Sequence, residues 1–132
     1  MSKLTSNGIA LAAAAFATFL ATDAMAQNAS YTDLQATQGG AMYAADCARC
    51  HGAQLQGAEG PALKGAQFDG VWRGGPVKDL FAFIREFMPA DKPNSLKDGD
   101  AAILTAFILK ETGVPAGTQA MAVNPPGNIP AK

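Results

Sequence analysis

The chain has 132 residues, with 10 Lys and Arg against 11 Asp and Glu, one His and a formal net charge of -1. That length makes a single domain, and the absence of any basic run or stripe removes nucleic acid from the expected partners. The acidic residues are scattered, so nothing marks an acidic tail, and no internal repeat is visible.

The N-terminus opens with Lys3, an apolar run from about Gly8 to Ala21 that includes Phe16, Phe19 and Leu20, and then Ala24-Met25-Ala26. A positive charge, a short apolar stretch and an A-x-A pattern predict a secretory signal peptide over residues 1–26. The apolar run is about thirteen residues, whereas a spanning helix takes ~20. Cleavage is therefore expected rather than a retained anchor, with a mature chain from about Gln27 exported to the periplasm and holding no lasting membrane attachment.

A first helix is predicted from Thr32. Thr32-Asp33-Leu34-Gln35 has the S/T-x-x-Q form of a capping box, and the helix runs through Met42 and Tyr43 into Cys47. Gly39 and Gly40 each cost about 1 kcal/mol of helix propensity against alanine. Close approach of another backbone or a bulky side chain explains them, with fraying as the alternative.

Cys47-Ala48-Arg49-Cys50-His51 follows, and it holds both cysteines and the one histidine of the chain. C-x-x-C-H is the attachment pattern of a c-type haem. Residues three and four apart on a helical turn share a face. Two thiols can thus reach the two vinyl groups of one haem while the imidazole points at the iron. A structural zinc site wants four ligands, and only three are present. A thioredoxin-like pair needs a surrounding βαβ pattern, and a disulfide leaves His51 unexplained.

From Gly52 to Gly75 the chain is glycine-rich and predicted irregular, with Leu55, Leu63, Phe68, Val71 and Trp72 available to cover a flat apolar disc. So long a loop is unusual unless it packs over a ligand. A second helix opens at Gly75-Pro76. Val77, Leu80, Phe81, Ile84, Phe87 and Met88 recur at helical spacing, and Pro89 ends the helix. A last helix runs from about Asp98 to Thr112, capped by Asp98 or Asp100, with Ile103, Leu104, Phe107 and Ile108 on its apolar face and Gly113 with Pro115 ending it. Residues 113–132 are rich in Pro, Gly, Ala and Asn and are read as a flexible tail.

No segment alternates apolar and polar residues over a useful length, so the fold is all-α. A folded part this small has little core of its own, and a buried haem would supply the missing apolar surface. For the second axial position the mature chain offers Met42, Met88 and Met121. Met42 lies too close to Cys47 on one helix, and Met121 sits in the tail. Met88 lies beyond the long loop at a proline-terminated helix end. A methionine can be mere core filler, but this placement suits His/Met ligation, which raises haem potential.

In combination, Thr32 to Gln35, Gly39 to Tyr43, Cys47 to His51, Gly60-Pro61-Ala62-Leu63, Met88-Pro89 with Pro93-Asn94-Ser95-Leu96, and the helix from Ile103 to Leu109 resemble a class I (mono-haem) c-type cytochrome. The likeness covers about Thr32 to Thr112, within a domain set at residues 27–112. It implies three main helices and long loops around one covalent haem c, with Cys47 and Cys50 as thioether sites and His51 and Met88 as iron ligands. It further implies that the Pro61 carbonyl accepts the His51 ring N–H, and that Gly39 and Tyr43 meet Phe107 at a helix crossing. Trp72 falls where relatives often place a residue bonding a haem propionate, although plain loop packing accounts for it as well. Two departures are Asn94, where many relatives have Gly, and Lys97, where a capping Ser or Asp is common.

An iron filled on both sides by protein has no open site for substrate. The expected function is one-electron transfer rather than enzymatic turnover, with transient docking at the exposed haem edge. The runs around Cys47, Gly60 and Leu80 to Pro89 resemble cytochrome domains and subunits that serve pyrroloquinoline-quinone-dependent (quinoprotein) alcohol dehydrogenases. Such a dehydrogenase is the expected donor, and a terminal oxidase or another cytochrome the acceptor. The alternative, should Met88 not ligate, is a haem-based gas sensor or a peroxidase-like protein, although no second His exists to serve as a distal acid-base group.

Overall fold

A computed structural model describes residues 28–132. The signal-peptide expectation for residues 1–26 lies outside the described residues. Among those described there are five α-helices and no strand, in the order α1 (Asp33–Asp46), α2 (Ala48–His51), α3 (Ala66–Trp72), α4 (Val77–Phe87) and α5 (Asp98–Glu111). This is the small all-α architecture that the sequence resemblance implies, its core built where α5 packs across α1 and α4. No helix among the described residues is long and apolar enough to cross a membrane.

The first helix starts as its sequence predicts. The Thr32 hydroxyl accepts from the Gln35 N–H and the Gln35 side chain accepts from the Thr32 N–H, both at 3.2 Å. Gly39 is explained by close approach rather than fraying, because it lies against the backbone of Ile103 and the Cβ of Phe107. Four residues on, the Tyr43 ring meets Phe107 at a centroid distance of 5.1 Å. The turn thinned by Gly39 and Gly40 lets α1 and α5 cross at backbone contact.

Amphipathic spacing is realised in α4, where Val77, Leu80, Phe81 and Ile84 are buried. Helix α5 is buried on more than the predicted stripe: Ala101, Ala102, Leu104, Thr105, Ala106, Ile108 and Leu109 are all enclosed. The small side chains are what allow packing on two helices at once. Thr105 keeps its hydroxyl satisfied by donating to the Ala101 carbonyl at 2.7 Å. At the start of α5 neither Asp98 nor Asp100 is the capping position. Lys97 is, and the Asp100 carboxylate three residues on accepts its N–H at 3.3 Å, while Asp98 pairs with Arg85 at 2.8 Å.

Two segments differ from the sequence expectation. The stretch from Gly52 to Gly75 is not irregular throughout, since it holds α3, opened at Gly65 and braced by an Asp69–Arg73 ion pair of 3.0 Å. Its glycines hide the helix from a periodicity reading. Residues 113–132 carry no helix, but they are a packed strap and not a flexible tail. Val114, Met121, Pro125 and Ile129 are buried in it, and the Tyr31 hydroxyl, fully enclosed, donates to the Val114 carbonyl. Gln35 clasps the strap a second time, donating to the Met121 carbonyl at 3.1 Å and accepting its N–H at 2.8 Å. A Pro/Gly-rich segment has no helical register, so its scattered apolar residues announce no face until the body offers slots for them.

Candidate haem site

Cys47 sits at the junction of α1 and α2, as C-cap of one and N-cap of the other, and Cys50 and His51 lie in the single turn of α2. This turn is held by the Tyr43 hydroxyl, which donates to the Gly52 carbonyl at 2.6 Å. It is also held by the Gly60 N–H, which donates to the Cys50 carbonyl at 2.8 Å, and by the Gly57 N–H, which donates to the His51 carbonyl at 2.8 Å. Burial first, and nearby Cys47 second, raise Tyr43 to about 12, so the phenol is a fixed donor across the physiological range.

His51 is buried, and its Nδ1 lies 2.8 Å from the Pro61 carbonyl oxygen. A carbonyl only accepts, so Nδ1 is the protonated nitrogen of this pair and Nε2 carries the lone pair. Gly60 is shaped to this ring: a Cβ there would stand 2.9 Å from His51 Cε1 and 3.1 Å from Nδ1.

Cys47 and Cys50 are both free and half-buried. Burial, then Asp46, then Cys50 push the Cys47 thiol up to about 11. A thiol-exchange pair needs the opposite, a lowered pKa, so this cysteine is poorly suited to redox exchange. Among the described residues no group of three or more His, Cys, Asp or Glu side chains is placed to hold a bare metal ion.

Met88 is the C-cap of α4, half-buried at the core edge, its N–H donating to the Ile84 carbonyl at 3.1 Å. The loop after it turns back on itself through Asn94, which takes φ 61° and donates its N–H to the Glu86 carbonyl at 3.1 Å. Asparagine tolerates that left-handed conformation better than other non-glycine residues, so the turn survives the departure noted in the sequence. The loop faces the attachment segment. A cleft of about 550 Å³ opens between them, lined by Ala45, Asp46 and Arg49 on one side and Pro89, Asp91, Lys92, Ser95 and Leu96 on the other. Arg49, inside the C-x-x-C-H run, reaches Asp91 at 3.4 Å. Of the other methionines, Met121 is 5% exposed in the core and Met42 lies on α1, packed against that core.

The residues fit a flat apolar cofactor. Trp72 meets Phe83 edge-on at 5.5 Å, and Phe83 meets Phe87 at 5.2 Å. Among the described residues Phe83 and Phe87 are nonetheless 41% and 52% exposed, an aromatic wall left partly open. Cys47, Leu63, Trp72, Met88 and Leu96 are likewise only partly covered and line the edge of the core. The thiol, thiol and imidazole set of Cys47, Cys50 and His51 is the one that attaches a haem.

The structure thus brings His51 and Pro61 together and sets the loop after Met88 opposite Arg49. Trp72 it places against Phe83. Sequence reasoning missed Arg73, whose side chain ties the end of α3 to the rest of the body; a lone arginine in a glycine-rich stretch carries no signal for that.

Among known families, the one described as "Cytochrome C oxidase, cbb3-type, subunit III" matches residues 34–108. No curated protein matches the chain. A solved structure, the sulfane dehydrogenase SoxCD from Paracoccus pantotrophus, is similar in fold with a TM-score of 0.54 at 22% identity, covering 68% of this chain and 48% of that one. This chain thus spans about half the length of that protein.

Proposed function

Since the chain belongs to the family described as "Cytochrome C oxidase, cbb3-type, subunit III", and with a lone C-x-x-C-H run is a mono-haem c-type cytochrome that transfers electrons, we propose that it is a periplasmic one-electron carrier with His51 and Met88 as axial ligands. The bound haem c supplies the one-electron couple between ferrous and ferric iron.

The observation that carries this reading is the pinned ring of His51. With Nδ1 donating to Pro61 at 2.8 Å, Nε2 is the nitrogen left for iron, and its basicity is raised by the hydrogen bond behind it. Cys47 and Cys50 would hold the macrocycle by thioether bonds. The Met88 sulfur, a soft ligand at the end of α4, would serve as the second ligand, and the wall of Trp72, Phe83 and Phe87 would keep water from the ring. Burial and sulfur ligation both favour the reduced, less charged state.

A carrier needs one exposed edge, and we place it at the cleft between α2 and the loop after Met88. Arg49 and Lys92 there stand beside Asp46 and Asp91, a mixed rim on a chain of net charge -1. Encounters are then small and transient, with weak dependence on salt. As donor we favour a quinoprotein alcohol dehydrogenase, on the resemblance of the attachment and Met88 runs, and as acceptor an oxidase or a second cytochrome.

The test is the visible spectrum, oxidised and reduced, of protein matured by a host that attaches haem c, for wild type and Met88→Ala. A low-spin spectrum whose weak iron–sulfur band disappears in the variant, with cyanide binding gained, is the expected result. A variant spectrum unchanged from wild type would remove Met88 from the iron and put gas sensing or peroxide chemistry first. The mass of the mature protein reports separately on signal cleavage before Gln27.

A further inference from the structure

Arg73 follows Trp72 at the end of α3, and its side chain is 10% exposed. Its guanidinium donates in three directions. Nε reaches Asp69 Oδ1 one turn back at 3.0 Å, Nη1 reaches the Pro130 carbonyl at 3.2 Å, and Nη2 reaches the Thr112 carbonyl at the end of α5. A planar fork can serve three acceptors set apart like this, whereas an ammonium cannot match the geometry.

The backbone beside it is clamped by the same stretch of strap. The Gly74 N–H donates to the Ile129 carbonyl at 2.8 Å, the Ile129 N–H donates back to Gly75 at 2.9 Å, and the Val77 N–H donates to Gly127 at 3.0 Å. Residues 127–130 thus hold both sides of the turn joining α3 to α4. Among the described residues α3 packs extensively on no other helix, and Phe68 is its one deeply buried side chain. Its placement therefore rests on this clamp. Trp72 rides on α3 and Phe83 on α4, so the clamp sets the distance between the two rings.

We propose that Arg73 is a positioning residue for the haem crevice, holding Trp72 in the aromatic wall through its ties to Thr112 and Pro130. The inference rests on the reading of Trp72, Phe83 and Phe87 as that wall. Wall position governs how much water reaches the cofactor, and burial is one of the levers on haem potential. The strap is then part of the redox site without touching it.

Burial of the cofactor is read by its reduction potential, measured for the holoprotein of wild type, Trp72→Ala, Arg73→Gln, Arg73→Lys, the double variant Trp72→Ala with Arg73→Gln, and Lys110→Ala, with helical content checked by circular dichroism. Trp72→Ala opens the wall and should lower the potential. Arg73→Gln should lower it in the wild-type background at unchanged helical content and add nothing in the Trp72→Ala background, Arg73→Lys should fall between, and Lys110→Ala, which breaks an exposed pair elsewhere, should match wild type. Arg73→Gln at the wild-type potential, or lowering it equally in both backgrounds, overturns the proposal while leaving the wall reading intact. Trp72→Ala at the wild-type potential overturns the wall reading itself. If Arg73→Gln yields no folded holoprotein, Arg73→Lys decides, and a potential equal to wild type overturns the proposal.

Discussion

Gly39 lies so close to Ile103 that a Cβ built on it would fall 1.9 Å from the Ile103 carbonyl oxygen. The obstacle is backbone on a helix held between two others, so it cannot swing aside as a side chain would.

Gly39→Ala should therefore destabilise, despite the ~1 kcal/mol of helix propensity that alanine gains over glycine. Overpacking of a rigid contact costs roughly 1–3 kcal/mol or more, and each kcal/mol lowers Tm by about 4–8 °C in a domain of this size. Thermal unfolding of the holoprotein checks this; a Tm equal to or above wild type would mean the helices part more easily than the geometry says.

Gly60→Ala should act on the haem through His51. The new Cβ at 2.9 Å from Cε1 turns the ring and strains its bond to Pro61. Loss of the supporting hydrogen bond lowers the basicity of the imidazole, and a weaker donor stabilises ferric iron less. The reduction potential of Gly60→Ala should therefore lie above that of wild type, and an unchanged potential would contradict it.

Gln35→Ala should cost more than Lys110→Ala, although both residues link distant parts of the chain. Gln35 serves the Thr32 N–H and both backbone groups of Met121. Leaving half-enclosed backbone groups unpaired costs about 1–3 kcal/mol. The Lys110–Asp33 pair is 45% and 74% exposed, and pairs of that kind contribute about 0.2–1 kcal/mol. Urea unfolding of both variants decides the order.

Tyr31 should make the fold sensitive to alkali. Burial first, then Asp33 and Glu111, raise it from 10.0 to about 12. Below pH 10 the phenol is protonated in both folded and unfolded chains, and its contribution is intact. From pH 10 to about 12 the unfolded chain releases the proton and the folded chain does not, so stability falls across that window. Tyr31→Phe should be less stable at pH 8 by about 1 kcal/mol, because the Val114 carbonyl loses its donor, yet should decline less steeply above pH 10. Parallel slopes in the two proteins would mean other groups drive the loss.

Much of this was legible in the residues. Cys47, Cys50 and His51 declare their chemistry because it requires a fixed spacing on one turn. The cap at Thr32, the stop at Pro89, and the helical spacing from Val77 to Ile84 are local effects that a short window contains. Asn94 could be placed because a left-handed turn selects few residue types. What stayed hidden is non-local. Nothing in Ala66 to Trp72 shows a helical stripe, since α3 is held from outside by Arg73 and the strap. Met121 and Ile129 look like strays in a Pro/Gly-rich segment until Gln35 and Gly75 receive them. Lys97 at a capping position is readable only with Asp100 in place behind it.

Asn28 and Asn128 stand side by side as bridge partners, with the Ala29 N–H donating to the Asn128 carbonyl at 3.0 Å. A body in which residues 28 and 128 meet brings the two ends of its fold together, so that a few residues of linker could join them. Such a body tolerates being spliced into a surface turn of a larger host, or being reopened elsewhere, without prying its neighbours apart. In engineering terms the redox centre comes as a cassette with both leads on one side.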